Sequence, residues 1–333
     1  MKFGAVDTAD AVGTVLAHSV RLGDRRLRKG RVLTPEDIAA LQACGVEAVI
    51  AARLGSSDVA EDRAARQLAE ALVPDPAAAL LRLTEPFTGR VNLIAEAAGV
   101  AVIDVAAIEA VNRVHPMITI ATVPAYQQMA AGGMVATIKI ISYGVPESAL
   151  AAASAAAAAG IRLAAPVISS VDLVITEIPG GAGEKGRAAI AGRVAAFGLE
   201  LGKSRMVPHD AGALADALAE SRADLMLILT GSATSDIDDV APSAVRRVGG
   251  RIERFGMPVD PGNLLFIGEI GARTVIGLPG CARSPALNGA DWVLARVLCG
   301  IAVRDEDISA MGVGGLLKEI PTRPQPRAGR REI

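Results

Sequence analysis

The apolar pattern of the chain changes period as it is read from one end to the other. Ile38, Leu41 and Val46 follow a helical spacing. They are preceded by Thr34-Pro35-Glu36-Asp37, which supplies an N-cap hydroxyl, a proline where no amide bond is lost, and acids at the positive helix end. This predicts a helix over 35–44 stopped by Gly45, then a short strand over 48–51. The basic stretch 21–31 (RLGDRRLRKGR) reads as the solvated face of a β-hairpin. After the turn-rich Val73-Pro74-Asp75-Pro76, the segment 134–145 (MVATIKIISYGV) is β-branched and lies between Gly132-Gly133 and Pro146, so a strand or hairpin is expected. The run 150–159 (LAAASAAAAA) is too short and too weakly apolar to span a membrane. An alanine-rich helix stopped by Gly160 is the expectation.

Beyond residue 167 the pattern becomes strand, helix, strand. The continuous apolar run 171–178 (VDLVITEI) is of buried-strand type. A glycine loop, a helix over 187–201 closed by Gly202, a short strand around Met206 and a helix over 211–221 follow. A second buried strand over 224–230 (DLMLILT) leads through a polar loop to a helix near 242–248, and strands are expected at 264–267 and 274–278. Alternation at these lengths predicts βαβ units with a parallel sheet covered on both faces, and a ligand beyond the carboxyl ends of the strands. Four segments result: an N-terminal α+β region (1–72), an accessory α+β domain (73–166), an α/β domain (167–303), and a C-terminal segment (304–333) with an extended proline- and arginine-rich tail.

Composition narrows the function classes. The 333 residues are 51% hydrophobic yet include one Trp, two Tyr and five Phe, so the core is built from small aliphatics. With 34 basic and 36 acidic side chains the net charge is −2, which excludes a general nucleic-acid binder. Three cysteines without CxxC spacing argue against a disulfide scaffold or zinc ribbon and suit the cytoplasm. No export or membrane segment is expected.

Three loops carry candidate chemistry. Thr230-Gly231-Ser232-Ala233-Thr234-Ser235 offers hydroxyls and close backbone approach after a strand, and Asp236, Asp238 and Asp239 follow before a helix. Backbone amides and a helix start can cradle a phosphate, and carboxylates beside it suit Mg²⁺. Equally, an aspartate here can simply cap the helix. Gly180 to Gly186, including Gly181, Gly183 and Lys185, is neither a Walker loop nor a dinucleotide fingerprint, and stands evenly between a phosphate loop and an ordinary crossover. The turn with Gly262 and Asn263, and the later Pro279-Gly280-Cys281-Ala282-Arg283-Ser284, form a third anion-friendly end. Cys281 reads as a small packed thiol, and the three histidines show no metal-ligand spacing.

The segment 229–244, LTGSATSDIDDVAPSA, resembles the signature loop of the molybdopterin-binding domain of molybdenum-cofactor biosynthesis proteins, Thr-Thr-Gly-Gly-Thr-Gly, a spacer, then Arg-Asp-x-Thr-Pro-Glu-Ala. Gly231 falls on the first glycine and Asp239 on the functional aspartate; Ser232 and Thr234 stand at glycine positions, and Asp238 at the arginine. The turn 260–268 and Gly277-Leu278-Pro279-Gly280-Cys281 are similar to the Pro-Gly-Lys-Pro and Gly-Leu-Pro-Gly-Asn motifs of MoeA-type proteins, with Asn263 at the lysine and Cys281 at the asparagine position. Val207-Pro208-His209-Asp210 resembles that family's Val-x-Asp turn, with Asp210 as the acid. The resemblance implies a three-layer α/β/α domain that binds molybdopterin or adenylylated molybdopterin, with Mg²⁺ and either molybdate or ATP/AMP. It assigns catalysis to Asp239 and Asp210, metal binding to Asp236, Asp238 and Asp239, and ligand contacts to Thr230, Gly231, Ser232, Thr234, Ser235, Gly181, Gly183, Lys185, Gly262, Asn263, Gly280, Arg283 and Ser284. The Pro-Gly and Leu-Pro-Gly motifs favour MoeA-like handling of the ligand, as a molybdotransferase or adenylyltransferase; a non-catalytic carrier serving a fused or separate nucleotidyltransferase and a CinA-type nucleotide pyrophosphatase are the alternatives. A homo-oligomer is also implied.

Overall fold

A computed structural model describes residues 1–317. The expected tail lies outside the described residues. The chain forms two compact units, one of residues Met1–Ala97 with Ala101–Ala164, the other of Ala98–Val100 with the residues from Ala165 onward.

The first unit is assembled from small antiparallel sheets and short helices. Strand Lys2–Asp7 pairs with Ala48–Arg53, and Val20–Leu22 with Arg25–Leu27 as the expected hairpin. Helix Pro35–Ala43 begins with a reciprocal capping box: the Asp37 amide donates to Thr34 Oγ1 at 3.3 Å, and the Thr34 amide to the Asp37 carboxylate at 3.2 Å. Part of the basic run serves this cap, since Arg31 Nε donates to the buried Asp37 at 2.6 Å. Segment 134–145 is not a hairpin. Met134–Ile140 joins Arg90–Ala95 and Ile118–Thr122, whereas Gly144–Pro146 crosses to Asp58–Ala60 in another sheet. Helix Glu61–Leu72 places Leu68 and Leu72 in one apolar cluster with Ile118 and Ile138. The alanine-rich helix, Glu147–Ala157, ends on Ala158 and Ala159, both at positive φ, rather than on Gly160.

The second unit contains the expected α/β layers. Its elements are β1 (Val171–Glu177), α1 (Arg187–Ala195), β2 (Leu201–Pro208), α2 (Ala211–Glu220), β3 (Leu225–Leu229), α3 (Val240–Arg247), β4 (Arg251–Phe255), β5 (Phe266–Ile270), β6 (Arg273–Leu278), α4 (Gly289–Leu298) and α5 (Asp305–Ser309). The strand order is β2-β1-β3-β6-β5-β4. The first four strands are parallel, and β5 and β4 complete the sheet as an antiparallel edge. On one face Leu214 and Leu218 of α2 and Ala244 and Val245 of α3 pack on Val174, Met226, Ile228 and Phe266. Period-two alternation turns Leu173, Ile175, Leu227 and Ile276, all buried, toward the other face, where α1 meets β2 and α4 meets β6. Gly277 is obligatory within β6: its cross-strand partner Phe266 lies over it, and a Cβ there would sit 1.9 Å from the ring. Helix α1 stops at Ala195, short of the expected 201. Gly198 turns the chain at φ 74°, and residues from Leu201 onward pair with Val171 as β2.

Because β5 is antiparallel to β6 and β4 antiparallel to β5, β4 runs in the direction of the parallel strands, and its exit loop, 256–265, emerges at the same end of the sheet as the loops following β1, β2, β3 and β6. The last described residues also reach this loop, for the Leu317 amide donates to Asp260 O at 2.8 Å. Among the described residues no helix is long and apolar enough to cross a membrane.

Candidate functional site at the carboxyl end of the sheet

The turn after β3 stands between the loops that follow β1 and β6. Gly231 lies so close to β1 that a Cβ would stand 2.8 Å from Thr176 O and 3.2 Å from the Glu177 Cα, so only glycine fits. Its amide donates to Thr176 Oγ1 at 2.9 Å. Thr230 Oγ1 donates to Ser232 O at 2.6 Å and lies 3.2 Å from Thr234 Oγ1, folding the turn on two buried hydroxyls. Among the described residues, the amides of Ser232, Ala233 and Thr234 have no acceptor. Ser232 and Ser235 are exposed beside them.

The aspartates that follow are distributed rather than clustered. Asp239 caps α3, accepting from the Val240 amide at 2.7 Å and, through its other oxygen, from the Ser235 amide at 3.0 Å. Asp236 accepts from the Asp238 amide at 2.8 Å, and Asp238 pairs with Arg246 at 2.7 Å. Among the described residues no three His, Cys, Asp or Glu side chains converge as a metal site. The aspartates expected as a metal trio are thus not gathered on one point: Asp239 turns to the Val240 and Ser235 amides, Asp236 to the Asp238 amide and Asp238 to Arg246. Asp210 caps α2 in the same manner, through the Gly212 and Ala213 amides at 2.8 and 3.0 Å. Those amides, with Arg247 nearby, hold its carboxyl below the usual carboxylate range.

Two arginines fasten the loops. Arg283 Nη2 donates to Thr230 O at 2.8 Å and Nη1 to Lys185 O, joining the loops after β6, β3 and β1. Gly186, at φ 103°, leaves no room for a Cβ against Arg283. Burial pulls the Arg283 pKa down, and its guanidinium serves carbonyls of the protein. Arg193 on α1 is 9% exposed and grips Asp291 at 2.5 Å, Ala282 O at 2.9 Å, and Ser284 O and Ala286 O at 3.0 Å each. It thus anchors the whole loop after β6, a role that sequence spacing did not suggest because its partners lie about a hundred positions away.

The remaining expected residues also fall at this end of the sheet. Gly262, at φ 144°, packs against the start of α4, where the Gly289 amide donates to Pro261 O at 2.8 Å. Asn263 folds back on its own loop through Met257 O at 3.3 Å, and Ser284 Oγ accepts from the Ala286 amide at 3.2 Å. Gly280 faces open space, and a Cβ placed there would have nothing within 4 Å. Gly181 and Gly183 shape the loop after β1, and there Lys185 extends an exposed ammonium with no ion pair among the described residues. Cys281 is exposed, though burial of its sulfur pushes the thiol pKa up.

Residues 167–298 match a family described as "Probable molybdopterin binding domain". They carry a domain of this family. Residues 5–53 match a second family, a domain of unknown function designated DUF8806. Among solved structures, the chain is similar to the molybdopterin biosynthesis MoeA protein of Pyrococcus horikoshii, with 12% identity over 90% of this chain and 75% of that one and a TM-score of 0.31. It is also similar to the molybdopterin biosynthesis enzyme MoaB of Thermus thermophilus, at 20% identity over 45% of this chain and 100% of that one, TM-score 0.30. A molybdenum cofactor biosynthesis protein of Pyrococcus furiosus is similar at 14% identity over 91% of this chain and 66% of that one, TM-score 0.25. No curated protein matches the chain. The molybdopterin-binding family match lies within the second unit and contains the loops after β1, β2, β3, β4 and β6.

Proposed function

We propose that the cleft at the carboxyl end of the sheet binds molybdopterin, free or adenylylated, and that the protein holds it during synthesis of the molybdenum cofactor. The observation that carries this reading is the row of unfilled amides on Ser232, Ala233 and Thr234, set beside Gly231 in a domain of the molybdopterin-binding family. Amides held in a turn stabilise phosphate oxygens without reorganisation. The Lys185 ammonium supplies the balancing charge. The planar pterin then lies along the Gly280 turn, where open space leaves room for it. No aromatic stacking is called for, since Phe266 is buried under Gly277.

Holding rather than converting the ligand is favoured by the aspartates. Asp239 and Asp210 each accept two amides at a helix start. The second reading, MoeA-like turnover with molybdate or adenylylation with ATP, rests on the Asp239 position in the family motif. Molybdopterin binding by wild type, Asp239→Asn and Asp239→Ala, together with product analysis after adding Mg²⁺ and either ATP or molybdate, separates the two. A carrier binds in all three proteins, most weakly as Asp239→Ala, and yields no product. Turnover that Asp239→Asn abolishes establishes the enzyme reading, and absence of binding by wild type defeats both.

A further inference from the structure

His209 lies where three parallel strands end. It follows β2 directly, its amide donates to Glu177 O at the end of β1 at 2.9 Å, and its Nδ1 is 2.8 Å from Thr176 Oγ1. The same Thr176 oxygen receives the Gly231 amide at the end of β3. Thr176 is 1% exposed, so its hydroxyl proton has no water to go to. Among the described residues, the acceptor within its reach is His209 Nδ1. A hydroxyl has one proton to give, and a buried one needs an acceptor for it. The hydrogen-bond pattern therefore assigns the ring proton of the neutral imidazole to Nε2. Nothing in the described residues accepts from Nε2, and His209 is only half-buried.

We propose that Thr176 fixes His209 as the Nε2–H tautomer, and that this Nε2–H donates to an oxygen of the phosphorylated ligand seated on the Gly231 turn. Thr176 is then a positioning residue with two outputs from one oxygen: it braces the turn and it orients the imidazole. His209 extends the binding surface from β3 across β1 to the end of β2. The ligand contact rests on the functional reading above; the tautomer does not.

The test has two arms. In ¹⁵N-imidazole NMR of the folded protein, the His209 signal, identified by its loss in His209→Asn, is expected to show Nε2–H in wild type and in Thr176→Ser. It is expected to lose that single form in Thr176→Val, which keeps the shape and removes the hydroxyl. An Nδ1–H tautomer in wild type overturns the proposal irrespective of any ligand. In titrations with molybdopterin, His209→Asn, which retains an acceptor near Nδ1 but lacks the reach of Nε2, is expected to bind about tenfold more weakly. His209→Gln, whose amide extends toward the Nε2 position, is expected to stay within about twofold of wild type. Thermal melts of each variant show that the fold is kept. Wild-type binding that His209→Asn leaves unchanged overturns the His209 contact alone, while failure of wild type to bind removes the functional reading and the contact with it.

Discussion

Arg193→Met removes the clamp on the loop after β6, and its consequence can be worked out from the contacts. The guanidinium is 9% exposed and its carboxylate partner Asp291 13% exposed. Deleting one member of a largely buried pair commonly costs about 3–5 kcal/mol. Three carbonyls, of Ala282, Ser284 and Ala286, lose their donor as well. The lower end of the range applies, because Asp291 keeps the Asn288 amide at 2.7 Å and its place at the start of α4, and the exposed Ser284 and Ala286 can rehydrate. A loss of about 3 kcal/mol follows, equivalent to a fall in Tm of about 6–12 °C for a unit of this size. The assay is built in. The one tryptophan, Trp292, adjoins Asp291 on α4, so its fluorescence during urea unfolding reports on this unit. Arg193→Lys should recover less than half of the loss, since an ammonium cannot reproduce the fork. A double-mutant cycle with Asp291→Asn should give a coupling of about 1.5 kcal/mol. A loss below about 1 kcal/mol for Arg193→Met, or no coupling, would refute the clamp.

Other outcomes are expected of the same unit. Gly280→Ala should melt within about 2 °C of wild type, because open space surrounds that position, yet weaken molybdopterin binding; equal binding would move the pterin away from this turn. Gly231→Ala should lower both stability and binding, since its Cβ meets backbone. Asp224 accepts two amides and two hydroxyls from Ser169 and Ser170, chiefly the Ser169 hydroxyl, and these hold its carboxyl below the ordinary range. A depressed folded pKa gives stability that is complete above the unfolded value of about 3.9 and is lost as pH falls through the folded one. The difference between wild type and Asp224→Asn in urea unfolding should therefore be present at pH 7 and shrink below about pH 4; a difference that does not change with pH contradicts the latch. Cys44 and Cys281 are exposed while Cys299 is buried, with its thiol pushed up to about 11 by burial. A thiol reagent at about pH 8 should label two cysteines in the native protein and a third only after unfolding.

The parts of the fold legible in the sequence were those decided locally. Thr34 with Asp37, and the aspartates before α2 and α3, announce helix starts because a cap bonds within three positions of itself. Buried parallel strands show as unbroken apolar runs such as 225–229. Elsewhere the deciding partner is distant. Within 196–200 Gly198 alone marks the stop, and the apolar spacing that runs on through Leu199 and Leu201 hides it until Leu201 is seen to pair with Val171. Ala158 and Ala159 take left-handed conformations without any propensity for them, while Gly160 is pressed against Ala157 O. The site loops were recognisable by their glycines and hydroxyls. The Thr176–His209–Gly231 contact was not, since it exists only in the register that sets three strand ends side by side. The spread of the aspartates was hidden for a related reason: three carboxylates in four positions read as a cluster, but caps and Arg246 send them in different directions.

Arg283 gives the cleft a kinetic character. By tying Lys185 O and Thr230 O to the loop after β6, it joins three walls before any ligand arrives. The ordering of those loops belongs to folding, so binding bears no conformational tax of its own. Molybdopterin association should then follow a single kinetic phase, with no slower closing phase of these loops. Calorimetry of molybdopterin binding should accordingly show a heat-capacity change no larger than the apolar area of the ligand itself accounts for.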